Sequence, residues 1–188
     1  MAFGDGASAT HTRSVAIGYN STSAGTTATA IGNNANASGF YASAFGYNAK
    51  AVSSGFASVV AMGNSYASGD DSFAAAIASN SALYGATAAN SIAMGYQAKA
   101  SGQYAVAIGG KDTVAGASSS TVAIGGYESV ATGAFGINIG GYQNNSAGQY
   151  AVILSGANQS ASANYTAVLG GSGNTASQTF STITGGSG

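Results

Sequence analysis

Apolar and polar positions in this chain follow one short block, written many times. A β-branched or small residue is followed by alanine, a large aliphatic residue and then glycine. Ser14-Val15-Ala16-Ile17-Gly18 returns as Ala28–Gly32, Ala42–Gly46, Ser91–Gly95, Ala105–Gly109 and Thr121–Gly125. Looser copies end at Gly4, Gly63, Ala78, Gly140, Ser155, Gly170 and Gly185. The thirteen blocks are spaced 14, 14, 14, 17, 15, 17, 14, 16, 15, 15, 15 and 15 residues apart. So constant a period predicts a solenoid, about twelve stacked coils of 14–17 residues.

Within each block, residues two apart on a strand share a face. The column before the glycine holds Ile17, Ile31, Phe45, Met62, Ile77, Met94, Ile108, Ile124, Ile139, Leu154 and Leu169. With the column two residues earlier (Val15, Thr29, Val60, Ile92, Val106, Val122), it is expected to form a core ladder inside the coil. Between them stand Ala16, Ala30, Ala44, Ala61, Ala76, Ala93, Ala107 and Ala123, then Asn138, Ile153 and Val168. A solvent-facing column would drift towards Thr, Ser and Lys, so one held to alanine predicts a second close-packed surface. Strands buried on both faces read as continuous apolar runs. A thin coil cannot bury both faces alone, so the alanine column is read as the contact between chains.

After each glycine comes a turn and a second strand of small residues, such as Ala35-Asn36-Ala37 and Ala98-Lys99-Ala100. Tyr41, Phe73, Tyr104, Phe135, Tyr150, Tyr165 and Phe180 precede the next block at one phase. Coils about 4.8 Å apart would stack them into a partial ladder, and twelve steps would make a rod of about 58 Å. From Gly109 onward the residue after the anchor is always glycine, and the spacing settles at 15. Two stretches of one rod are therefore expected, residues 1–108 and 109–188, with small insertions in 52–60 and 80–90.

Charge changes the picture by its scarcity. Only 5% of the 188 residues are charged and the net charge is −1, which gives no electrostatic footprint for nucleic acid. No apolar run is long enough to cross a bilayer as a helix. With no cysteine, disulfides and thiolate chemistry are absent. Met1-Ala2-Phe3-Gly4-Asp5 lacks the basic and apolar regions of a secretory signal, and the chain stops partway into another coil. A piece of something longer is expected.

The block Ala30-Ile31-Gly32-Asn33-Asn34-Ala35-Asn36-Ala37-Ser38-Gly39, and again Ala93-Met94-Gly95-Tyr96-Gln97-Ala98-Lys99-Ala100-Ser101-Gly102, resembles the head repeats of trimeric autotransporter adhesins, the YadA-like family. The resemblance covers roughly residues 2–125. It implies an all-β, left-handed parallel β-roll solenoid packed as a homotrimer, with Ala16, Ala30, Ala44, Ala61, Ala76, Ala93, Ala107 and Ala123 at the trimer interface. The later coils, such as Gly140-Gly141-Tyr142-Gln143-Asn144-Asn145-Ser146-Ala147-Gly148, are similar to repeats of bacteriophage fibre proteins. Both resemblances imply an extracellular fibre, on a virion or a bacterial surface, that meets a host glycan or protein receptor. A purely structural spacer is the alternative.

Candidate chemistry is sparse. His11 has no nucleophile or orienting group marked out beside it and reads as a turn residue. Asp70-Asp71 falls short of a calcium ligand set and reads as a turn pair. Lys111-Asp112 reads as an exposed ion pair. Lys50 and Lys99 share one phase, which would space basic spots for acidic glycans or simply solubilise the surface. Tyr19, Tyr47, Tyr96, Tyr127 and Tyr142 follow their anchors in turns, where a ring could stack on a sugar or pack between chains. No paired carboxylates, metal cluster, phosphate loop or triad stands out, so neither an enzyme nor a cofactor is expected.

Overall fold

The computed structural model describes residues 1–56, 58–75, 77–78 and 83–188. Regular structure among them is entirely β: 25 strands of two or three residues, each bounded by turns, and no helix. The chain is a parallel β-solenoid and divides into two compact units, Met1–Met94 and Gly95–Gly188.

In the first unit, each coil contributes one strand to each of two parallel ladders. The first ladder runs Ala2–Phe3, Val15–Ile17, Thr29–Ile31, Ser43–Phe45, Val60–Met62, Phe73–Ala75, Ile92–Met94. The second runs Ser8–Ala9, Thr22–Ser23, Asn36–Ala37, Lys50–Ala51, Tyr66–Ala67, Gly85–Ala86. Backbone hydrogen bonds join successive coils, as in Val15 N–H to Ala28 O at 2.9 Å and Thr22 N–H to Ala35 O at 2.8 Å. At the corners, Asn20, Asn34 and Asn48 adopt φ of 49°, 55° and 53°, a left-handed conformation that asparagine tolerates. Gly18 is required by packing as well: its φ is +123°, and a Cβ there would lie 2.6 Å from the Gly32 carbonyl oxygen.

The interior is filled differently from the sequence expectation. Ala16, Ala30, Ala44, Ala61, Ala93, Ala107 and Ala123 are completely buried inside the single chain, so this column lines the coil and is not the surface between chains. Ala76 lies outside the described residues. Opposite the alanines, Ala37 and Ala51 on the second strand, with Ala35 and Ala49 just before it, close the core. In the 14-residue coils, two short strands and their turns leave room only for methyl and hydroxymethyl groups; the larger Val59 and Ile77 are buried in longer coils.

The large side chains point the other way, as strand alternation then requires. Ile17, Ile31, Phe45, Met62, Met94, Ile108, Ile124, Ile139, Leu154 and Leu169 lie on the outer face, half-buried or exposed, with Ile31 at 37% and Leu154 at 43%. They do not form a core ladder. Ile77 leaves the column for another reason: Phe73, Ala74 and Ala75 pair with Val60, Ala61 and Met62. Ala74 thus takes the inward place, and Ile77 falls beyond the strand, buried, with its N–H donating to Ser65 Oγ at 3.2 Å. The same register puts Phe73 in the outer strand column and takes it out of the aromatic phase.

The second unit repeats the two ladders through Val106–Ile108, Val122–Ile124, Ile137–Ile139, Val152–Ile153, Ala167–Val168, Thr182–Ile183 and through Lys99–Ala100, Val114–Ala115, Val130–Ala131, Asn145–Ser146, Ser160–Ala161, Thr175–Ala176. It adds a third side. Lys111, Tyr127, Tyr142, Ala157, Ser172 and Ser187 form consecutive parallel bridges, one per coil. The extra side accounts for the longer repeat, and the larger cross-section admits larger inward residues: Ile153, Val168, Asn138, Asn144 and Gln159 are all buried.

The doubled glycine serves this wider interior. A Cβ at Gly110 would sit 2.6 Å from Thr113 Oγ1, and one at Gly156 would sit 2.6 Å from Gln159 Nε2. Removing the side chain makes room for the polar residue three positions on. There Asn144 donates to the carbonyls of Gly140 (3.2 Å) and Gly156 (3.1 Å) and accepts from Gln159 N–H (3.0 Å). Gln159 Oε1 in turn accepts from Asn174 N–H at 3.1 Å, continuing an internal amide ladder. Asn144→Ala strands buried carbonyls and an amide, and is expected to cost roughly 2–4 kcal/mol. Thermal unfolding followed by circular dichroism checks this; an unchanged midpoint would remove the ladder from the stability of the unit.

Candidate functional site

With no enclosed pocket among the described residues, function has to be sought on the side-chain columns of the outer surface. Three kinds of column stand out.

The first is an apolar seam. The outward residues of the first ladder, Val15, Ile17, Ile31, Phe45, Val60, Met62, Ile92 and Met94 in the first unit, stack in register over successive coils. The second unit has a seam of its own in Val106, Ile108, Val122, Ile124, Ile137, Ile139 and Val152. No charged residue interrupts these positions. Monomeric proteins rarely leave apolar patches of such length in water.

The second is aromatic. Phe135, Tyr150, Tyr165 and Phe180 stack face to face, with centroids 4.9, 5.0 and 5.0 Å apart and interplanar angles of 5°, 14° and 16°. All four sit at positive φ, between 56° and 63°. Bulky residues pay for that conformation, and ring stacking along the coil repeat offsets it. Tyr41 and Tyr104 occupy the equivalent corner of their own coils, with φ of 54° and 60°.

The third is the mixed column of the third side. Lys111 Nζ lies 5.0 Å from the Tyr127 ring centroid and donates to its hydroxyl at 3.2 Å. That hydrogen bond, before any neighbouring charge, raises the ammonium pKa above its ordinary value. Asp112 lies 3.7 Å from the same ammonium, the exposed pair anticipated from sequence. Tyr127 and Tyr142 stack at 5.3 Å, and Gln143 Nε2 donates to Glu128 Oε2 at 2.7 Å. Sequence reasoning missed the third side as a structural element, although the invariant second glycine was its signal.

Other candidate residues are dispersed. Tyr19, Tyr47 and Tyr96 are exposed by 52%, 60% and 52% and lie on different coils. Lys50 and Lys99 are half-buried on the outer side of the second strand, beside Asn36 and Tyr66 in one case and Val114 in the other. His11 meets Thr10 Oγ1 through Nδ1 at 3.1 Å, and its carbonyl accepts from Ser14 Oγ at 2.7 Å, which ties the turn. Asp70 accepts from Ser53 Oγ and Asp71 from Ser58 N–H (3.1 Å), so the pair pins the preceding insertion.

Fold and surface together define a repeat-built parallel β-solenoid, each unit of which carries an apolar seam on its outer face. The model of the YadA head domain repeat matches residues 1–21, 23–49 and 86–111, and in those stretches the chain is similar to that family. The doubled-glycine coils from residue 112 onward lie outside the match. No curated protein sequence matches the chain.

Proposed function

We propose that this chain is an adhesive segment of a homotrimeric surface fibre, with the apolar seam as the contact between its three copies. The YadA head repeat is an adhesin-type structural domain, which favours adhesion over catalysis and an extracellular surface over an internal compartment. The observation that carries the assembly is the seam itself: exposed Ile31, Phe45, Met62, Met94, Ile124 and Leu154 need cover, and an in-register copy supplies a matching column. Burying such a column at about 25 cal/mol per Å² of apolar surface favours association strongly. A self-complementary repeat favours closed symmetry. The fibre belongs on a bacterial or a virion surface; the doubled-glycine coils, with their likeness to phage fibres, support the second.

Three parallel copies would display every turn residue three times, so weak contacts to a host surface add through avidity. Labelled protein is expected to be retained on host cells or on immobilised surface glycans. Retention no greater than that of a non-binding control would replace adhesion by a spacer role.

A further inference from the structure

The column on the third side of the second unit changes height abruptly. Lys111, Tyr127 and Tyr142 are followed in parallel register by Ala157 and Ser172. Lys111 covers one face of Tyr127, and Tyr142 covers the other at 5.3 Å with an interplanar angle of 11°. The two sides of Tyr127 are therefore taken. Tyr142 has one face on Tyr127, while its other face looks along the column over Ala157 and Ser172, whose side chains are too short to reach across a phenol ring. The column ends in a step, and Tyr142 remains 47% exposed there.

Polar groups flank the step. Gln143 and Asn158 occupy the adjacent corner in successive coils, with φ of 51° and 54°, and both are exposed. Gln143 has its amide nitrogen engaged by Glu128, leaving its carbonyl oxygen as an acceptor. Asn158 offers a donor and an acceptor, and exposed Ser172 a hydroxyl. After Glu128, whose carboxylate is held by Gln143 at the rim of the step, the chain contains no charged residue, so no side chain beyond the rim offers a cation to an anionic ligand.

We propose that Tyr142, Gln143, Asn158 and Ser172 form a binding step for a neutral pyranose. The negative face of the phenol ring receives the C–H face of the sugar. The amides and hydroxyl beside it exchange hydrogen bonds with the sugar hydroxyls. The Lys111–Tyr127–Tyr142 stack holds the ring before the ligand arrives, which lowers the entropy cost of binding. An anionic sugar gains nothing here, because the cation of the column is spent on Tyr127. This assignment rests on the adhesive reading above and gives it a ligand class.

The test is saturation-transfer NMR on the whole chain with methyl β-glucoside, methyl β-galactoside and methyl N-acetyl-β-glucosaminide at millimolar concentration. At least one is expected to receive magnetisation chiefly on its ring C–H protons. Tyr142→Ala is expected to weaken binding about tenfold or more, by analogy with the loss of other aromatic stacking contacts. Tyr142→Phe is expected to retain binding, and Tyr96→Ala to leave it unchanged. Asn158→Ala, which leaves the stack intact, is expected to weaken it as well and serves if Tyr142→Ala fails to fold. Binding that survives both Tyr142→Ala and Asn158→Ala, or no binding of any of the three glycosides, overturns the step. Retention of the chain on cells is scored separately: adhesion that persists with no glycoside bound removes this site and leaves the adhesive reading standing.

Discussion

Ala30→Arg is expected to stop the first unit from folding, whatever the concentration of chain. Ala30 is fully buried between Ala16 and Ala44 in its column, and Ala37 on the second strand, with Ala35 just before it, closes the same interior. An arginine has no direction in which to escape: the backbone alternation that aims Ala30 inward is fixed by parallel bonds on both sides. A buried unpaired charge together with gross overpacking exceeds about 4 kcal/mol, a large part of the stability of an ordinary domain. Circular dichroism should show the β signal of the first unit lost. A variant that folded normally but lost only its ability to assemble would return the alanine column to the chain–chain contact inferred from sequence.

One residue further on, Ile31→Arg is expected to do the opposite. Ile31 is 37% exposed on the outer face, where the arginine can extend into solvent in a lone chain. Folding should survive, with the β signal retained and the unfolding midpoint little changed. Assembly should not survive, because three guanidinium groups would meet across the seam with no partner and no water. Light scattering at micromolar concentration is expected to give about 54 kDa for the natural chain, three times 17.9 kDa, and 17.9 kDa for the variant. A natural chain that stays at 17.9 kDa would defeat the trimer. The pair Ala30 and Ile31 thus separates folding from association at adjacent positions.

That pair also marks where the sequence was legible and where it misled. The glycine anchors and their spacing specify the solenoid, and the ladders pair Val15, Thr29 and Ser43 as the period says they should. The corner phase of Phe135, Tyr150, Tyr165 and Phe180 also reads directly, because rings at one phase of a stacked coil must meet. Inside and outside were inverted. Large aliphatic residues are usually core, and that default assumes an interior with room for them. Here the room is set by coil length, and a 14-residue coil leaves space for alanine and serine only. Ile77 was misplaced because Ala-Ile-Ala at 76–78 imitates a block, while the strand that pairs is Phe73–Ala75. The third side of the later coils was signalled by Gly110, Gly126, Gly141, Gly156 and Gly171, whose role appears only once the inward Thr113, Ser129, Asn144, Gln159 and Asn174 are seen beside them. The step at Tyr142 depends on that third side and was not legible for the same reason.

The hydrogen bonds that join successive coils have a mechanical consequence. Within each unit they run from one coil to the next, as in Ile137 N–H to Ala151 O and Val152 N–H to Thr166 O. Tension on the chain within a unit therefore pulls these bonds end-on, and the outermost coil peels first because it is bonded to a neighbour on one side only. Each coil released pays out slack chain, so an overload is absorbed in a succession of small ruptures and does not break the whole unit at once. A tether built this way lengthens under flow before it lets go.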